Sequence, residues 1–438
     1  MRVCHFEDAL AADLEPLTLT RPVFDLLCGC GTLEQKQVRY FTLARGRTAS
    51  ADHLQRGVMV RPYLAPLVAQ QAPRLRVNDL HWLRRDRLGL VNGRWVPPAP
   101  SNDDADDFDT PGVALVDGQV AYAVLEPGHL RDLSPLTLDG CLEEWARTLP
   151  TRPAGGWMAH YLWDLVERNG DEIALDAWLT DPERPRRGDD LPARVGPADR
   201  LLVHPTARID PLVVADTTNG PVILDRDVVV TAFTRLEGPC YIGPGTQLLG
   251  AKIRGGTTLG AQCRVGGEVE ASIIQGYSNK YHDGFLGHAY VGAWVNLGAG
   301  TSNSDLRNDY GPVRVSVNGT LIDTRLSKIG CFLGDHTKTG LGTLLNTGTS
   351  AGVFCNLLPT GGLLPRVLPS FASIWNGAAR ENGDLDRLLE TAVRVMKRRN
   401  EALTDTHRKL YAELFARTAD VRRKVLRDAE LRRMRRAA

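Results

Sequence analysis

From about residue 201, an aliphatic residue followed by glycine returns again and again: Ile242-Gly243, Leu259-Gly260, Val265-Gly266, Val291-Gly292, Leu297-Gly298 and Ile329-Gly330. Several of these lie six apart, as do Ile242 and Leu248, Leu259 and Val265, and Val291 and Leu297. Leu333, Thr339 and Leu345 keep the same spacing. A six-residue period with an aliphatic at one phase is the signature of a parallel β-helix. Each coil has three flat faces of about six residues. The aliphatic of each face points into a narrow interior, and small residues let the chain turn the corner. A coil cannot cover its own open ends, so neighbours must stack and the array is cooperative. A β-sandwich would instead alternate apolar and polar residues along longer strands. The composition agrees: 43 glycines and only 6% aromatic residues suit a turn-dense repeat.

The period breaks at 275–284 and again at 302–312, both polar. These stretches are expected to be loops extruded from the solenoid, where function is usually placed. Four parts follow: residues 1–180 with apolar runs of both periods, a linker at 181–200, the repeat at 201–375 and a tail at 376–438. Within the first part, Asp103 to Asp109 reads as a solvated acidic loop. The linker begins with the proline- and charge-rich stretch 181–188. In the tail, Leu385, Leu388, Leu389, Ala392, Val395 and Met396 recur at three and four residues, which argues a helix. A second helix is expected over 406–427. From Arg394 onward there are 15 Lys or Arg against 6 Asp or Glu, a net of +9, read as a solvated helical cap.

Other classes are disfavoured. The formal charge is +1, so no global basic surface for nucleic acid is indicated. No apolar run approaches the ~20 residues of a membrane span. The first eight residues have no apolar signal-peptide core. The eight cysteines are scattered, and Cys28 and Cys30 lack zinc-ribbon spacing, so reduced thiols in a cytoplasmic protein are expected.

Several phrases carry a family likeness. They are Leu17-Thr18-Leu19-Thr20-Arg21-Pro22, Gly255-Gly256-Thr257-Thr258-Leu259-Gly260, Gly276-Tyr277-Ser278-Asn279-Lys280, His282-Asp283-Gly284-Phe285-Leu286-Gly287 and Asn296-Leu297-Gly298-Ala299-Gly300-Thr301, with Pro369-Ser370-Phe371 near the end of the repeat. On these the chain resembles the GlmU-like sugar nucleotidyltransferases, relatives of the bifunctional enzyme that acetylates glucosamine-1-phosphate and then uridylylates it. The resemblance spans nearly the whole chain and is more specific in the second half. It implies an α/β doubly wound nucleotidyltransferase-like domain, a left-handed parallel β-helix of the acyltransferase kind, and a helical tail.

Acetyl transfer to a sugar amine needs a base, donors for the oxyanion and cations for the phosphate. The resemblance implies His282 as the base, a role that suits an imidazole. It implies Asn296 and Arg254 on the acceptor and its phosphate, and Glu270 orienting the site. Asn308 and Tyr310 approximate an Asn–Tyr pair beside acetyl-CoA, with Arg314 standing in for a downstream lysine. Two departures alter the acceptor site. The family's lysine two residues after the glutamate is Ser272 here, with Lys280 as a substitute cation from the loop. The tyrosine before Leu-Gly is Phe285. Both put the identity of the amino sugar in doubt more than the reaction.

In the first domain the family's Gly-Gly-x-Gly-Thr-Arg loop corresponds to Ala9-Leu10-Ala11-Ala12-Asp13, and its later lysine to Val23. An aspartate facing a triphosphate is repulsive. Arg21 survives on the phosphate side, and Asp79, with Asp164, stands where Mg²⁺ would be held. Gly29, Gly31, Thr32 and Lys36 make a G-x-G-T-x-x-x-K phrase that serves either as a substitute loop or as a plain turn. The resemblance thus implies a homotrimer acting on an amino sugar phosphate and a nucleoside triphosphate or nucleotide sugar, with acetyl-CoA as donor and no nucleic-acid or membrane partner. Two alternatives stay open: nucleotidyl transfer alone with the β-helix as trimerisation module, and a non-catalytic nucleotide-sugar binder.

Overall fold

The computed structural model describes residues 2–43, 54–99, 110–179, 192–359, 361–375 and 377–437. The acidic stretch at 103–109 and the proline-rich stretch at 181–188 lie outside the described residues. The chain forms two compact units. One is Met1–Leu14, Thr20–Leu26 and Gly31–Tyr161; the other is Glu15–Leu19, Leu27–Cys30 and Leu162–Ala438.

The first unit contains, in chain order, β1 (Arg2–Phe6), α1 (Leu33–Leu43), β2 (Gln55–Met59), α2 (Ala65–Gln71), β3 (Arg76–Val77), α3 (Leu80–Arg84), β4 (Leu88–Asn92), β5 (Gly112–Val116), β6 (Gln119–Leu125), α4 (Leu138–Thr148) and β7 (Thr151–Pro153). The sheet runs β7-β5-β6-β4-β1-β2-β3. β1 lies parallel to β2 and β4, whereas β6 is antiparallel to both β4 and β5. Successive strand residues face opposite sides. Val3, Val91 and Tyr122 pack with Tyr40 and Phe41 of α1. Cys4, Phe6 and Leu90 pack with Leu83 of α3 and with Leu142 and Trp145 of α4. Helices therefore cover both faces, the doubly wound arrangement, with β6 as an antiparallel intrusion. Asp117 and Gly118 join β5 to β6 with φ of +48° and +77°, as a tight hairpin requires.

The second unit is a parallel β-helix. Its first face stacks Leu201–Val203, Val222–Leu224, Cys240–Ile242, Thr257–Ala261, Ile273–Gly276, Tyr290–Ala293, Cys331–Leu333, Thr349–Ala351 and Val367–Leu368. Register partners on that face lie one coil apart: Val222 pairs with Cys240 and Cys240 with Thr257. The aliphatic residues that set the six-residue period, from Ile242 and Leu248 to Leu333 and Leu345, all lie in one buried core. Hydroxyls fill the interior where backbone groups need partners. Thr246, Ser278 and Thr337 each donate to a carbonyl of the next coil and accept the N–H of Cys263, Val295 and Cys355. Burial pushes the thiols of Cys240, Cys331 and Cys355 up to about 12 and that of Cys263 to about 11, so they are inert fillers.

The coil departs from the sequence expectation at both polar stretches. Residues 275–280 are not extruded, while 281–284 make an exposed corner two residues longer than Gly266–Gly267 on the rung before. Asn279 and Lys280 pair with Arg264 and Val265 on the second face, so the polar residues are a rung of the coil. Ser278 and Lys280 take interior positions that aliphatic residues fill elsewhere. The true excursion is longer than 302–312. Ser302–Asn303 still pair with Leu344–Leu345, and the chain returns to the first face only at Cys331. Between them Arg314–Val317 and Thr320–Asp323 form an antiparallel hairpin. A bridge from Leu306 to Lys328 and a bond from Ile329 N–H to the Asp305 carbonyl (2.8 Å) close its stem.

Helix α5 (Leu162–Leu179) packs against the coil: Asn169 accepts from Gly29 N–H (2.7 Å) and donates to the Gly256 carbonyl (2.8 Å). Helix α5 thus belongs to the compact unit of the coil, whose longest segment runs from Leu162. Gly29 belongs to this docking, and Thr32 shares reciprocal bonds with Gln35 at the start of α1, so the G-x-G-T phrase is local turn and cap structure. The tail forms α6 (Leu385–Lys397), α7 (Asp405–Arg417) and α8 (Ala419–Ala437). The single helix expected over 406–427 is broken at Thr418, whose hydroxyl bonds back to the Leu414 carbonyl. Along one corner of the coil, Tyr277, Trp294, His336, Phe354 and Phe371 all adopt positive φ and stack in a ladder. Tyr411 and Phe415 of α7 meet this ladder edge-on.

Candidate functional site

On the third face of the coil, Arg254 lies on one rung and Glu268 and Glu270 lie together on the next. The pairing of Lys252–Ile253 with Glu268–Val269 places the arginine just past the end of its strand. Arg254 Nε lies 2.7 Å from a Glu268 oxygen and 3.9 Å from a Glu270 oxygen. Lys328, delivered by the far end of the excursion, lies 3.5 Å from the other Glu270 oxygen. One rung on, His288 Nδ1 is 2.8 Å from Asp305 Oδ2, with both side chains largely buried.

That pair is held from several sides. His288 sits at a corner with φ of +49°. Asn303 clamps the preceding Gly287, accepting its N–H and donating to its carbonyl, both at 2.9 Å. A Cβ on Gly287 would come within 2.8 Å of Asp305 Oδ2 and 2.4 Å of the Phe285 ring, so only glycine leaves room for the carboxylate. Burial raises the Asp305 carboxyl, but the His288 hydrogen bond and the charges of His288 and Lys328 outweigh it, and the net shift is downward. His288 Nε2 makes no hydrogen bond among the described residues.

His282 lies at the opposite corner of the same rung, exposed, its ring 4.9 Å from that of Tyr281. Its carbonyl accepts from Lys280 Nζ at 3.1 Å, and the Gly266 carbonyl does so at 2.8 Å. Lys280 is thus pinned inside the coil rather than offered from a loop, which corrects the substitute-cation reading. Burial lowers its ammonium to about 8, against the opposing pull of Asp283 and Glu268. Ser272 is buried too, donating to the Glu270 carbonyl and accepting from Ala289 N–H. The cations that reach Glu270 are instead Lys328 and Arg254.

Asn296 bridges Asn279 and Lys338 in a ladder on the second face, and its side-chain oxygen accepts from Asn279 at 3.2 Å. Arg399, between α6 and α7, donates to Asn279 at 2.7 Å. Asn308, Tyr310 and Arg314 are all exposed on the excursion. The structure therefore gathers Arg254 and Glu270 into one strip, puts His282 at the other corner of an adjoining rung, and leaves the three expected donor-side residues on the hairpin arm. Glu268, His288, Asp305 and Lys328 escaped the sequence reading. Only Asp305 carried a signal, since it falls in a flagged polar stretch.

In the first unit the polar groups gather where β1, β2 and β4 end, the edge at which doubly wound sheets bind ligands. Glu7 accepts from Val23 N–H (2.9 Å), Arg61 N–H (3.1 Å) and the Arg61 guanidinium (2.8 Å). Asp8 takes Arg94 at 2.6 and 2.8 Å, and Arg94 is fully buried. Burial and the charges of Glu34 and Glu7 push the Asp25 carboxyl up to about 7, against the pull of Arg21. The Arg21 carbonyl accepts from Arg61 at 3.2 Å. Asp79 caps α3, accepting from Trp82 N–H at 2.9 Å, and Asp164 lies in α5 of the other unit. No group of three or more His, Cys, Asp or Glu among the described residues could hold a metal ion. These residues do not fit Mg²⁺.

Residues 3–184 match the family model described as "Sugar nucleotidyl transferase", a span that reaches through α5. Among curated proteins, a bifunctional sugar-1-phosphate nucleotidylyltransferase/acetyltransferase of Sulfurisphaera tokodaii is 33% identical over 148 residues, covering 32% of this chain and 36% of that protein. The bifunctional protein GlmU of Methanococcus vannielii is 33% identical over 116 residues, 26% of each. That of Xylella fastidiosa is 30% identical over 184 residues, 36% of this chain and 37% of that protein. The chain spans about a third of the length of these relatives. Among solved structures, the polysialic acid O-acetyltransferase OatWY aligns with 44% of this chain and 89% of its own at 12% identity and a TM-score of 0.20. No helix among the described residues is long and apolar enough to cross a membrane.

Proposed function

We propose that the chain is a transferase of nucleotide-sugar biosynthesis whose coil unit moves an acetyl group from acetyl-CoA to the nitrogen of an amino sugar, carried as a sugar phosphate or a nucleotide sugar. The observation that carries this is the matched run from Arg254 through Glu270 and His282 to Asn296, laid on consecutive rungs of one β-helix. In this reading His282 takes the amine proton as nitrogen attacks the thioester carbonyl, the adduct collapses with cleavage of the C–S bond, and the proton passes to the departing coenzyme A thiolate; the exposed ring is open to an incoming substrate. The protein acts as a homotrimer in the cytoplasm. Leu212 and Phe233, 67% and 76% exposed at successive turns of one corner, supply apolar surface suited to a neighbouring copy.

The first unit takes the role of a sugar-1-phosphate nucleotidyltransferase domain that binds nucleotide sugar with little or no turnover. The pairing of Arg61 with Glu7 and of Arg94 with Asp8 favours this, because a triphosphate arriving there meets guanidinium groups already neutralised. Thiol release from acetyl-CoA is measured with glucosamine-1-phosphate and with UDP-linked glucosamine. Release by the intact protein, reduced at least about 100-fold in His282→Ala, is the expected result. No release with either acceptor sinks the acetyl-transfer reading. Pyrophosphate release from UTP, abolished by Asp79→Ala, would restore catalysis to the first unit.

A further inference from the structure

We propose that Arg264 and Arg399 form an anion site on the second face of the coil that holds the diphosphate of a nucleotide-linked amino sugar. This rests on the acetyl-transfer reading and narrows its acceptor to a nucleotide sugar.

The site starts from two like charges held together. Arg264 stands on the second face, in register with Asn279. Its Nη1 donates to the carbonyls of Gly245 (3.1 Å), Gln262 (3.2 Å) and Cys263 (2.9 Å). Arg399 comes from the loop between α6 and α7, and its Nε donates to the same Gln262 carbonyl at 3.3 Å. Two guanidinium groups thus share one oxygen, and neither forms an ion pair among the described residues. Burial lowers both. The next influence is in each case another arginine, Arg399 on Arg264 and Arg398 on Arg399, and no carboxylate opposes it. The carboxylates flanking the site in sequence are turned elsewhere. Glu401 accepts from the Tyr277 hydroxyl (3.2 Å), Asp283 pulls on Lys280, and Glu268 and Glu270 face Arg254 on the third face. Lys338, one rung past Asn296, is a further cation without a carboxylate, bonded to the His336 carbonyl at 2.9 Å. Like charges this close repel. An oxyanion between the guanidinium groups replaces that repulsion with charge-assisted hydrogen bonds.

Donors are available for it. Arg264 Nε and Nη2 and Asn296 Nδ2 have no partner among the described residues, and none is sealed from solvent. Both arginines are also fixed in place. Arg264 opens the strand Arg264–Glu270, and the loop of Arg399 is pinned where Met396 and Leu403 pack with Tyr277 and Trp294.

The pair is tied to the acceptor side. Arginine only donates, so Asn279 turns its oxygen to Arg399 (2.7 Å) and its amide nitrogen to the Asn296 oxygen (3.2 Å). Asn296, the residue expected on the acceptor, is left with its own N–H groups facing outward. The expected donor-side residues Asn308, Tyr310 and Arg314 lie apart, on the hairpin arm. His282 follows Asn279 by three residues, at most about 11 Å along the chain. A phosphate on the carbon beside the amine stays near the His282 corner, and the second phosphate of a diphosphate reaches toward the guanidinium pair.

The test measures acetyl transfer to UDP-linked glucosamine, glucosamine-1-phosphate and glucosamine by the intact protein, Arg264→Gln and Arg399→Gln. Each variant is expected to raise KM for UDP-linked glucosamine at least about tenfold, the loss of one hydrogen bond to a charged group, with little change in kcat. Glucosamine and acetyl-CoA are expected to change less than about twofold, since neither places a phosphate there. If Arg264→Gln does not fold, Arg399→Gln, altered only on a surface loop, carries the test. Equal losses with all three acceptors would reduce Arg399 to orienting Asn296 and overturn the inference. An unchanged KM for UDP-linked glucosamine, a larger loss with glucosamine-1-phosphate, or a raised KM for acetyl-CoA also overturns it, and each leaves acetyl transfer standing. Absence of transfer to any acceptor by the intact protein overturns the acetyl-transfer reading and the inference with it.

Discussion

The two units solve the same electrostatic problem in opposite ways. The first gathers acidic and basic groups at the ends of parallel strands and locks them into buried pairs, Arg94 with Asp8 and Arg61 with Glu7. The coil spreads its charges along a flat face, where Arg254, Glu268, Glu270 and Lys328 are half-exposed and exchangeable. Buried pairs fix a structure because each partner is costly to leave alone. Surface charges contribute little to stability but decide what approaches. In the function proposed above, chemistry is carried by the coil, while the ion pairs at the binding edge of the first unit act as internal bracing.

The sharpest way to break this contrast is Arg94→Met. It strands the Asp8 carboxylate, and is expected to lower the stability of the first unit by about 3–5 kcal/mol in chemical denaturation. An unchanged midpoint would mean that the pair does not brace the fold. A second test exploits Lys280, a coil cation that, like Lys338, is pushed down to about 8 by burial. Its folded value near 8 is depressed below the unfolded ~10.4. Between those values the unfolded chain binds more protons, so the lysine's cost, full at pH 7, is relieved as pH rises. The stability of the native protein relative to Lys280→Met is therefore expected to rise by about 3 kcal/mol from pH 7 to pH 10.5. A flat difference would place the ammonium in solvent. The smallest effect is that of Asp79→Ala, which removes a helix cap and is expected to cost about 1 kcal/mol without changing acetyl transfer. Loss of bound divalent cation in that variant, read by calorimetry, would instead make Asp79 a metal ligand.

Much of the coil was legible because its signal is periodic. The interior phase set by Ile242, Leu259, Val291 and Leu333 needs only spacing to be seen. Lys280 shows where that reading fails. A polar residue at an interior position looks like a break in the repeat, although backbone carbonyls of the coil satisfy it in place. The candidate site was partly legible: Arg254 and Glu270 meet on one strip. Glu268, His288, Asp305 and Lys328 were not seen, because they come together through coil register and through a return of the chain over more than twenty residues. In the first unit, Glu7 and Asp8 gave no motif, since their partners lie far along the chain at positions 61 and 94.

The stem that closes the excursion has an evolutionary consequence. Asp305 and Lys328 stand at its two feet, where the bridge between Leu306 and Lys328 and the coil's own register hold them whatever lies between. The next coil resumes at Phe332 opposite Tyr290 as though nothing had been inserted. Doubling the length of such an arm costs only about 0.6 kcal/mol of closure entropy. The arm that carries Asn308, Tyr310 and Arg314 is thus an exchangeable cassette. Descendants of this chain can lengthen, trim or rewrite it while the charged strip at its base is inherited intact.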